Sequence, residues 1–369
     1  MRELAEKAGK ILTLPISPGR RILAISDIHG NLPYFDALLK KAGFCESDEL
    51  ILVGDFLEKG PDSLGTLHRV MELSRAGNTH VLCGNCDSWA DIFQPEWPKE
   101  GDKQVADYVR WRKSGLLWEM CLALGLDPLE IEDLGEVKQR LLESFPAEWA
   151  FLASLPYAIE TENFLFAHAG ADPAKPLAEH TEEELCRVNS LLTTGRRFDK
   201  WLVVGHWPVM LYGENKVCAN PLVDREKHIV SIDGGCVLKD DGQLNALVIP
   251  DIDSEAFDFV AFDPFPERRV LNGQAEGERS YYIRWGDSRV QVLERGEEFS
   301  RCRHVRTGYE MDILTKYLFT EEEITNCNDC TDYILPLKAG DTVSVVETCS
   351  RGFFVKHRGV SGWYYGDLE

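Results

Sequence analysis

Short apolar runs alternate with amphipathic segments along the first two thirds of the chain. Residues 21–25 (RILAI), 50–53 (LILV) and 80–82 (HVL) are apolar runs with the length of buried strands. Between them, residues 34–41 and 63–74 carry apolar side chains at spacings of three and four, the pattern of an amphipathic helix. Strands that alternate with helices in this way predict an α/β fold with parallel strands.

A long helical insertion, rich in Trp, Leu and Glu, interrupts this alternation at about residues 91–155. Strand-like runs resume after it and predict a second group of strands in the same domain. These runs are residues 163–167, 201–204, 228–232 and 245–249. We therefore predict a first domain over residues 1–255.

The pattern changes after the last of these runs. Residues 256–278 read as a connector, and residues 279–369 show short alternating runs between Gly-rich turns, which predict small antiparallel sheets. Two stretches, 281–314 and 332–369, resemble each other weakly and indicate a duplicated β-module. The second copy resembles bacterial SH3-like modules, which implies that it binds a peptide or the first domain. We expect the first domain to fold without residues after about 270.

The charge of the chain limits its partners. Lys and Arg number 40 against 62 Asp and Glu, so the net charge is -22. A field of this sign repels nucleic acid and anionic membranes, which excludes both as partners unless a local basic pocket or a metal binds them. No apolar run approaches the ~18 residues of a membrane span, and residues 1–20 contain no apolar signal core. We therefore expect a cytoplasmic protein.

The 11 cysteines are odd in number and irregularly spaced. Without a secretory signal, this usage indicates free thiols in a reducing compartment. Cys327 and Cys330 have the spacing of a zinc-binding pair, and Cys302 and Cys349 could complete a set of four thiolates. The absence of a second closely spaced pair favours free thiols, and the zinc alternative stays open.

Five predicted strands each end in a polar motif flanked by glycine. In an open sheet, ligands bind outside the carboxyl ends of the strands, so these motifs are expected to share one crevice. A single Asp or His at such a place is usually a turn residue or a half-buried side chain, but five together indicate a site. Carboxylate, imidazole and amide ligands suit Mn, Fe or Zn. The candidate ligands are Asp27, His29, Asp55, Asn85, His168 and His206.

The order of these motifs resembles that of the calcineurin-like metallophosphoesterases, from about residue 21 to residue 249. The most similar branch is the bacterial phosphoprotein-phosphatase group, which also includes symmetrical dinucleoside-tetraphosphate hydrolases. The resemblance implies a fold of two packed mixed β-sheets flanked by helices, and a catalytic domain over residues 1–255. It also implies two divalent ions, with Mn favoured and Fe or Zn as alternatives. In that arrangement Asp27 and His29 hold one ion, Asp55 bridges, and Asn85, His168 and His206 hold the second.

The chain departs from the phosphatase pattern in two motifs. Glu58 and Lys59 stand where that branch has Asp-Arg, and a lysine is a point charge without the bidentate fork of arginine. Cys86 and Asp87 stand where it has His-Glu, and the resulting Gly-Asn-Cys-Asp resembles a branch of small phosphodiesterases. The resemblance implies catalytic roles for Glu58, Cys86 and Asp87. It implies phosphate binding by Asn85, Lys59 and Arg187, with Arg196 and Arg197 as rivals of Arg187.

From these residues we expect a hydrolase in which a metal-bridging hydroxide attacks phosphorus in line. The favoured activity resembles that of a serine/threonine protein phosphatase, acting on a phosphorylated protein or a small phosphoester. A phosphodiesterase or dinucleoside-tetraphosphate hydrolase is the alternative within the same class. A catalytically weak binding protein is the alternative from another class. Hydrolysis of an aryl phosphate with added manganese would separate the enzymes from the binding protein.

Overall fold

The computed structural model describes residues 9–369; the start of the N-terminal segment, in which no signal core was predicted, lies outside the described residues. The chain divides into two compact units. The first comprises the described residues through Trp207 together with Pro221–Leu238 and Leu244–Phe262. The second comprises Pro208–Asn220, Lys239–Gln243 and Asp263–Glu369.

Eleven of the first twelve strands belong to the first unit, and β8 belongs to the second. The bounds are β1 Ile11–Thr13, β2 Ile22–Ile25, β3 Glu49–Leu52, β4 Thr79–Val81, β5 Ala158–Glu160, β6 Phe164–Ala167, β7 Trp201–Val204, β8 Val217–Cys218, β9 Leu222–Asp224, β10 Ile229–Ser231, β11 Leu244–Ile249 and β12 Asp258–Phe262. The helices are α1 Leu32–Ala42, α2 Ser63–Ser74, α3 Lys99–Arg112, α4 Leu116–Ala123, α5 Lys138–Ser144, α6 Pro146–Ser154 and α7 Glu182–Cys186.

Two mixed sheets form the framework of the first unit. The strand orders are β1-β5-β6-β7-β10-β9 and β12-β11-β2-β3-β4. The run β2-β3-β4 is parallel, as the sequence predicts, and β11 closes onto β2 in the antiparallel sense. The expected fold of packed mixed sheets with flanking helices is thereby confirmed.

Alternation along the strands builds two cores. On β2, Ile22 and Ala24 belong to an apolar cluster that includes Phe166 and Val203 of the other sheet, so this cluster fills the space between the sheets. Their neighbour Leu23 belongs to a second cluster, which includes the buried faces of the helices. Successive strand residues point to opposite faces, so a continuous apolar strand serves both cores.

The second unit is all-β, as predicted. The longest sheet has the order β13-β21-β22-β23-β8, and β15-β16-β17 form a separate three-stranded meander. Both repeated stretches therefore contain three consecutive antiparallel strands. The resemblance of the second copy to SH3-like modules stays a prediction. The strands are β13 Glu267–Arg269, β14 Tyr282–Ile283, β15 Val290–Glu294, β16 Phe299–His304, β17 Glu310–Leu314, β18 Leu318–Glu321, β19 Ile324–Cys327, β20 Cys330–Thr331, β21 Thr342–Cys349, β22 Gly352–His357 and β23 Val360–Tyr364.

The boundaries of the units differ from those that the sequence suggests. Residues 208–220 and 239–243 fall inside the predicted first domain, yet they belong to the second unit. The cause is pairing across a long sequence separation, because β8 is antiparallel to β23, with Cys218 opposite Val360. The first unit in turn continues past residue 255, because β12 completes the sheet beside β11.

Candidate metal centre

The candidate ligands lie where strands of the two sheets end. Asp27 and His29 follow β2, and Asp55 follows β3. Asp27, His29, Asp55 and His206 have φ values of 55°, 51°, 52° and 65°, in the left-handed region that non-glycine residues seldom adopt. Such conformations cost roughly 1–3 kcal/mol each, and they concentrate at functional sites. The turns after these strands are therefore strained. Their unusual backbone conformation directs the candidate side chains toward one another.

Distances within the cluster show that the side chains converge. His29 Nε2 lies 3.7 Å from Asp27 Oδ1 and 4.0 Å from Asp55 Oδ2. His168 Nε2 lies 3.3 Å from Asp55 Oδ1 and 3.1 Å from Asn85 Oδ1. Asp55 thus lies between the two histidines, the position that a bridging carboxylate requires.

His206 joins the cluster through its ring and its backbone. Its ring centroid is 5.1 Å from that of His168. Its N–H donates to Asp27 Oδ2 over 2.9 Å, which fixes the turn after β7 to the turn after β2. The six residues that the sequence singles out as ligands are therefore close together.

The donor set fits divalent metal ions. Asp27 Oδ1 is buried and has no hydrogen-bond partner among residues 9–369, although a buried carboxylate oxygen normally has one. Ligand atoms of Asp27, Asp55 and His168 lie within 4.8 Å of one another, and so do those of His29, Asp55 and Cys86. Both groups share Asp55, as a bridged pair of ions needs, and their oxygen and nitrogen donors suit the ions named above. They divide the candidates differently from the resemblance, because Asp27 groups with His168 and the Cys86 sulfur lies with His29.

Burial and charge shift the titration of the cluster. Burial would lower the pKa of His168, but the adjacent Asp55 carboxylate raises it to about 10. Burial lowers the pKa of His29 and of His206 to about 3, so both imidazoles are neutral and available as ligands. Burial raises the pKa of Asp27, and repulsion from Asp55 adds to that rise. Carboxylates crowded in this way gain from a nearby cation.

Two glycines let the backbone approach the ligands. A Cβ at Gly84 would lie far inside van der Waals contact with Asp55 Oδ1, and one at Gly205 would do the same with Asp27 Oδ2. Larger residues at these positions would therefore displace a ligand carboxylate. This is the physical reason for the glycine that precedes Asn85 and His206 in the motifs.

Asp87 supports the turns of the cluster. One of its oxygens accepts the N–H groups of Asp55 and Gly84 at 2.6 and 2.8 Å, and the other accepts that of Leu57 at 3.0 Å. Its side chain is buried, and burial raises the pKa of the carboxyl. These contacts indicate a positioning role for Asp87; the catalytic role implied by the resemblance stays a prediction.

Glu58 is bound by the helical insertion. Trp89 Nε1–H and the Leu116 N–H donate to its Oε1 at 3.0 and 2.8 Å, and the Tyr108 hydroxyl donates to Oε2 at 3.1 Å. Burial raises the pKa of Glu58. Because Tyr108 lies on α3 and Leu116 begins α4, one carboxylate connects two insertion helices to the turn after β3. The sequence gives no sign of these contacts, and the catalytic role expected of Glu58 is untested.

We expect Gly115→Ala to destabilise the chain more than Gly125→Ala does. Both glycines have positive φ, 99° and 70°. An alanine at Gly125 costs roughly 1–2 kcal/mol for the left-handed backbone. Gly115 has a ψ of 178°, a conformation almost exclusive to glycine, so an alanine there costs about 1–3 kcal/mol. A Cβ at Gly115 would also overlap the Glu58 carboxylate, whereas one at Gly125 meets nothing within 4 Å. Overpacking adds about 1–3 kcal/mol. Thermal melting of both variants measures the difference, and equal melting temperatures would contradict the close packing of Glu58.

Lys59 and Cys86 also lie at the cluster. Lys59 Nζ is 3.5 Å from His29 Nε2, so its ammonium reaches the ligands. The Cys86 N–H donates to Asp55 Oδ1 at 2.8 Å, and Asn85 Nδ2–H donates to the Cys86 sulfur at 3.3 Å. The residues that replace Arg and His of the phosphatase pattern thus lie beside the candidate ligands, and their roles toward a substrate stay predictions.

The three candidate phosphate-binding arginines have other partners. Arg187 pairs with Glu183 at 3.3 Å, although its charge is near enough to contribute to the lowered pKa of His206. Arg196 donates to the Ala171 carbonyl at 2.8 Å, and Arg197 donates to that of Glu226 at 3.0 Å. Arg187 is the one of the three whose charge acts on a ligand, and its phosphate-binding role stays a prediction.

Sequence reasoning missed Asn189 and interpreted Asp233, at a strand end, only as a turn residue beneath the site. Asp233, which the sequence assigns to a turn, does accept the Gly235 N–H at 2.8 Å. Its other oxygen is buried without a hydrogen-bond partner in the described part of the chain, and its burial and the nearby Asp27 raise its pKa. Asn189 Oδ1 lies 3.1 Å from His206 Nε2. Asp233 comes just after β10, as the candidate ligands come just after other strands, and this position indicated that it belongs to the site. No sequence pattern pointed to Asn189.

Two of the four C-terminal cysteines lie close together. Cys327 and Cys330 have their sulfurs 3.9 Å apart. Over residues 9–369, none of Cys302, Cys327, Cys330 and Cys349 belongs to a group of three or more converging ligands. None of the four is in a disulfide, and their assignment as free thiols stays a prediction. No helix in residues 9–369 has the length and apolar character needed to cross a membrane.

Several known proteins are similar to this chain in sequence or in structure. A curated relative is the Bis(5'-nucleosyl)-tetraphosphatase PrpE [asymmetrical] of Oceanobacillus iheyensis, which is 23% identical over 243 residues, covering 59% of this chain and 84% of the relative. A metallophosphoesterase from Sphaerobacter thermophilus shares 18% identity at a TM-score of 0.38, over 66% of this chain and 89% of that one. A protein serine/threonine phosphatase from Saccharomyces cerevisiae shares 13% identity at a TM-score of 0.40, over 70% of this chain and 85% of that one.

The family model for calcineurin-like phosphoesterases matches residues 20–233, more than half of the chain. The match begins just before β2 and ends at Asp233, so it contains all six converging ligands. The resemblance seen in the motifs is therefore confirmed. The chain belongs to the calcineurin-like phosphoesterase family and is a metal-dependent phosphoesterase.

Proposed function

We propose that this enzyme hydrolyses phosphate esters or anhydrides whose leaving groups depart without a strong proton donor. The observation that carries the proposal is the convergence of two ligand groups on Asp55, beside a cysteine where the related phosphatases have histidine. Two divalent ions, when bound, supply the lowering of the pKa of water and the charge neutralisation that phosphoryl transfer needs. We propose manganese as the native metal, with iron or zinc as alternatives.

The residues of the chain have distinct parts in this proposal. Asp27 and His29 hold one ion, and Asp55 holds both. Lys59 and Asn85 bind non-bridging phosphate oxygens, and the Lys59 ammonium lies 3.5 Å from His29 Nε2, which supports that placement. The second ion is held by Asn85, His168 and His206.

The leaving group is where this chain differs most from a protein phosphatase. Alkoxides such as that of serine need a proton in the transition state, and a positioned acid contributes typically ~10²–10⁴-fold. Cys86 offers a thiol there, and Glu58 is held by Trp89 and by two donors of the insertion, Tyr108 and Leu116. Aryl oxides and phosphate anions leave readily without such help. The similarity to an asymmetrical tetraphosphatase, named for anhydride substrates, supports the same preference.

A substrate panel tests the proposal. With Mn²⁺ added, the wild type should hydrolyse aryl phosphates and dinucleoside polyphosphates faster than phosphoserine peptides. Cys86→His should raise phosphoserine turnover more than aryl phosphate turnover, by on the order of 10-fold or more, because the imidazole would supply the missing acid. Equal effects on both substrates would show that another group donates the proton. Absence of turnover with any divalent metal would favour the alternative that the chain is a catalytically weak binding protein.

A serine/threonine phosphatase is the second candidate. It is favoured by the run Gly54-Asp55-x-x-Glu58-Lys59-Gly60, which keeps the spacing and charge of the phosphatase motif. A wild type that already prefers phosphoserine peptides in the panel would establish this candidate. We further propose a cytoplasmic location, supported by the free cysteines of residues 9–369, and an SH3-like role in peptide binding for the C-terminal repeat.

A further inference from the structure

A run of aromatic rings leads from the metal centre to the surface of the insertion. The rings of Trp89 and Tyr108 are 6.0 Å apart, and those of Tyr108 and Trp111 are 6.1 Å apart. Tyr108 and Trp111 are three residues apart on α3, so they share one face of that helix. Trp111 is 73% exposed, although burial of so large a ring is strongly favourable. The row of rings therefore ends in an aromatic surface that is exposed to solvent.

The same helix face is bonded to the turn that carries Lys59. The Tyr108 hydroxyl donates to Glu58 Oε2 at 3.1 Å, and Arg112 Nη2–H donates to the Lys59 carbonyl at 3.3 Å. Lys59 Nζ in turn lies 3.5 Å from His29 Nε2. The exposed ring is thus connected to the ligands of the metal centre by direct contacts within the first unit.

Arg112, four residues after Tyr108, places a guanidinium on the same helix face. Its Nε is buried without a hydrogen-bond partner in the described residues, while Nη2 bonds the Lys59 carbonyl. The chain has a net charge of -22, so a polyanion that approaches it needs a local cation of this kind to overcome the general repulsion.

We propose that Trp111, Tyr108 and Arg112 form a subsite for the aromatic base and the adjoining phosphate of a nucleotide substrate. A flat base stacks on the exposed Trp111 ring, and the guanidinium of Arg112 neutralises a phosphate beside it. The inference rests on the proposed function, because it places the nucleotide as the leaving group of the same reaction. The enzyme is thereby assigned nucleoside polyphosphates as its substrate class.

The test compares two anhydrides, one with an aromatic base and one without. For the full chain with Mn²⁺, kcat/KM is measured on diadenosine tetraphosphate and on inorganic tripolyphosphate. Trp111→Ala should lower the ratio of the two values about tenfold, the effect expected for loss of one stacked base. Trp111→Phe should retain most of the ratio. Trp285→Ala, which removes a 63% exposed tryptophan of the second unit, should leave the ratio unchanged.

A binding measurement in the absence of turnover tests the proposed subsite independently of the proposed reaction. Quenching of tryptophan fluorescence by ADP is recorded in the presence of a chelator, and Trp111→Ala should weaken ADP binding about tenfold. An unchanged ratio and unchanged ADP binding in Trp111→Ala would overturn the inference. If the wild type binds ADP through Trp111 but hydrolyses neither the anhydrides nor an aryl phosphate, the proposed function fails and the base-binding subsite stands. If it hydrolyses the aryl phosphate but neither anhydride, the proposed function stands and the assignment of nucleoside polyphosphates is overturned.

Discussion

Asp55→Asn is expected to remove bound metal and activity together and to leave the chain folded. The amide keeps an oxygen for the Cys86 N–H, which donates to Asp55 Oδ1 at 2.8 Å, so the turn after β3 should persist. The neutral side chain cannot bridge two cations, and kcat/KM should fall by on the order of 10³-fold or more. Metal content per chain, thermal melting and aryl phosphate turnover measure the three parts of this result.

A matched control for this variant is Asp36→Asn, which removes a half-exposed carboxylate on α1 that is bonded to Arg69. It should retain two ions per chain and parent turnover. Without added metal, Asp55→Asn should melt close to the metal-free parent, because the loss of attraction to His168 is offset by relief of repulsion from Asp27 and Asp87. Near-normal turnover with two bound ions would show that Asp55 is not the bridge.

A chain that ends at residue 270 is expected to fold poorly, contrary to what the composition suggests. Residues 208–220 belong to the second unit, where β8 pairs with β23 and where Met210, Val217 and Ala219 pack with Tyr282. Truncation exposes these apolar side chains and leaves β8 without its partner. At ~1.5–3 kcal/mol for each large side chain, the loss is a substantial part of a typical stability of ~5–15 kcal/mol. The apparent melting temperature should fall by roughly 10–20 °C, or the chain should aggregate.

Point variants within the full chain test whether packing around β8 contributes to the stability of the protein. Val217 is 3% exposed and Val223 is 38% exposed, and they lie on successive short strands of different units. Val217→Asn should cost about 2–4 kcal/mol through the buried amide and the lost packing, whereas Val223→Asn should be nearly neutral. A truncated chain that melts like the full-length protein, with no difference between the two variants, would show that the first unit is independent of residues 263–369.

The ligand set is readable from the sequence because each ligand follows a strand. Asp27, Asp55 and Asn85 come soon after the apolar runs of β2, β3 and β4, and parallel neighbours bring their carboxyl ends to one edge. Local pattern and a general topological rule are enough to predict that these side chains gather at one place. The two mixed sheets follow from the same motifs, through their resemblance to a known family.

Contacts between distant residues are beyond the reach of the same reasoning. Glu58 bonds Tyr108 and Leu116 of the insertion, and the motifs give no indication of these two partners. The direction in which a buried carboxylate turns depends on which donors surround it, and no local spacing encodes that. Trp111 is likewise one residue of a helical pattern in the sequence, and only the fold shows its ring exposed beside Tyr108.

The amino-acid sequence by itself determined which candidate ligands gather at one place, the α/β class of the first unit and the all-β character of the second. Those features depend on periodicity and on residues at strand ends, which act over a few positions of the chain. Only the tertiary structure decided the membership of residues 208–220 and the setting of Glu58. β8 has two residues, Val217 and Cys218, too few for a periodic signal, and its partner β23 lies more than a hundred positions away. Which strands pair across that separation depends on the packing of the whole unit. The local sequence pattern therefore does not predict the pairing.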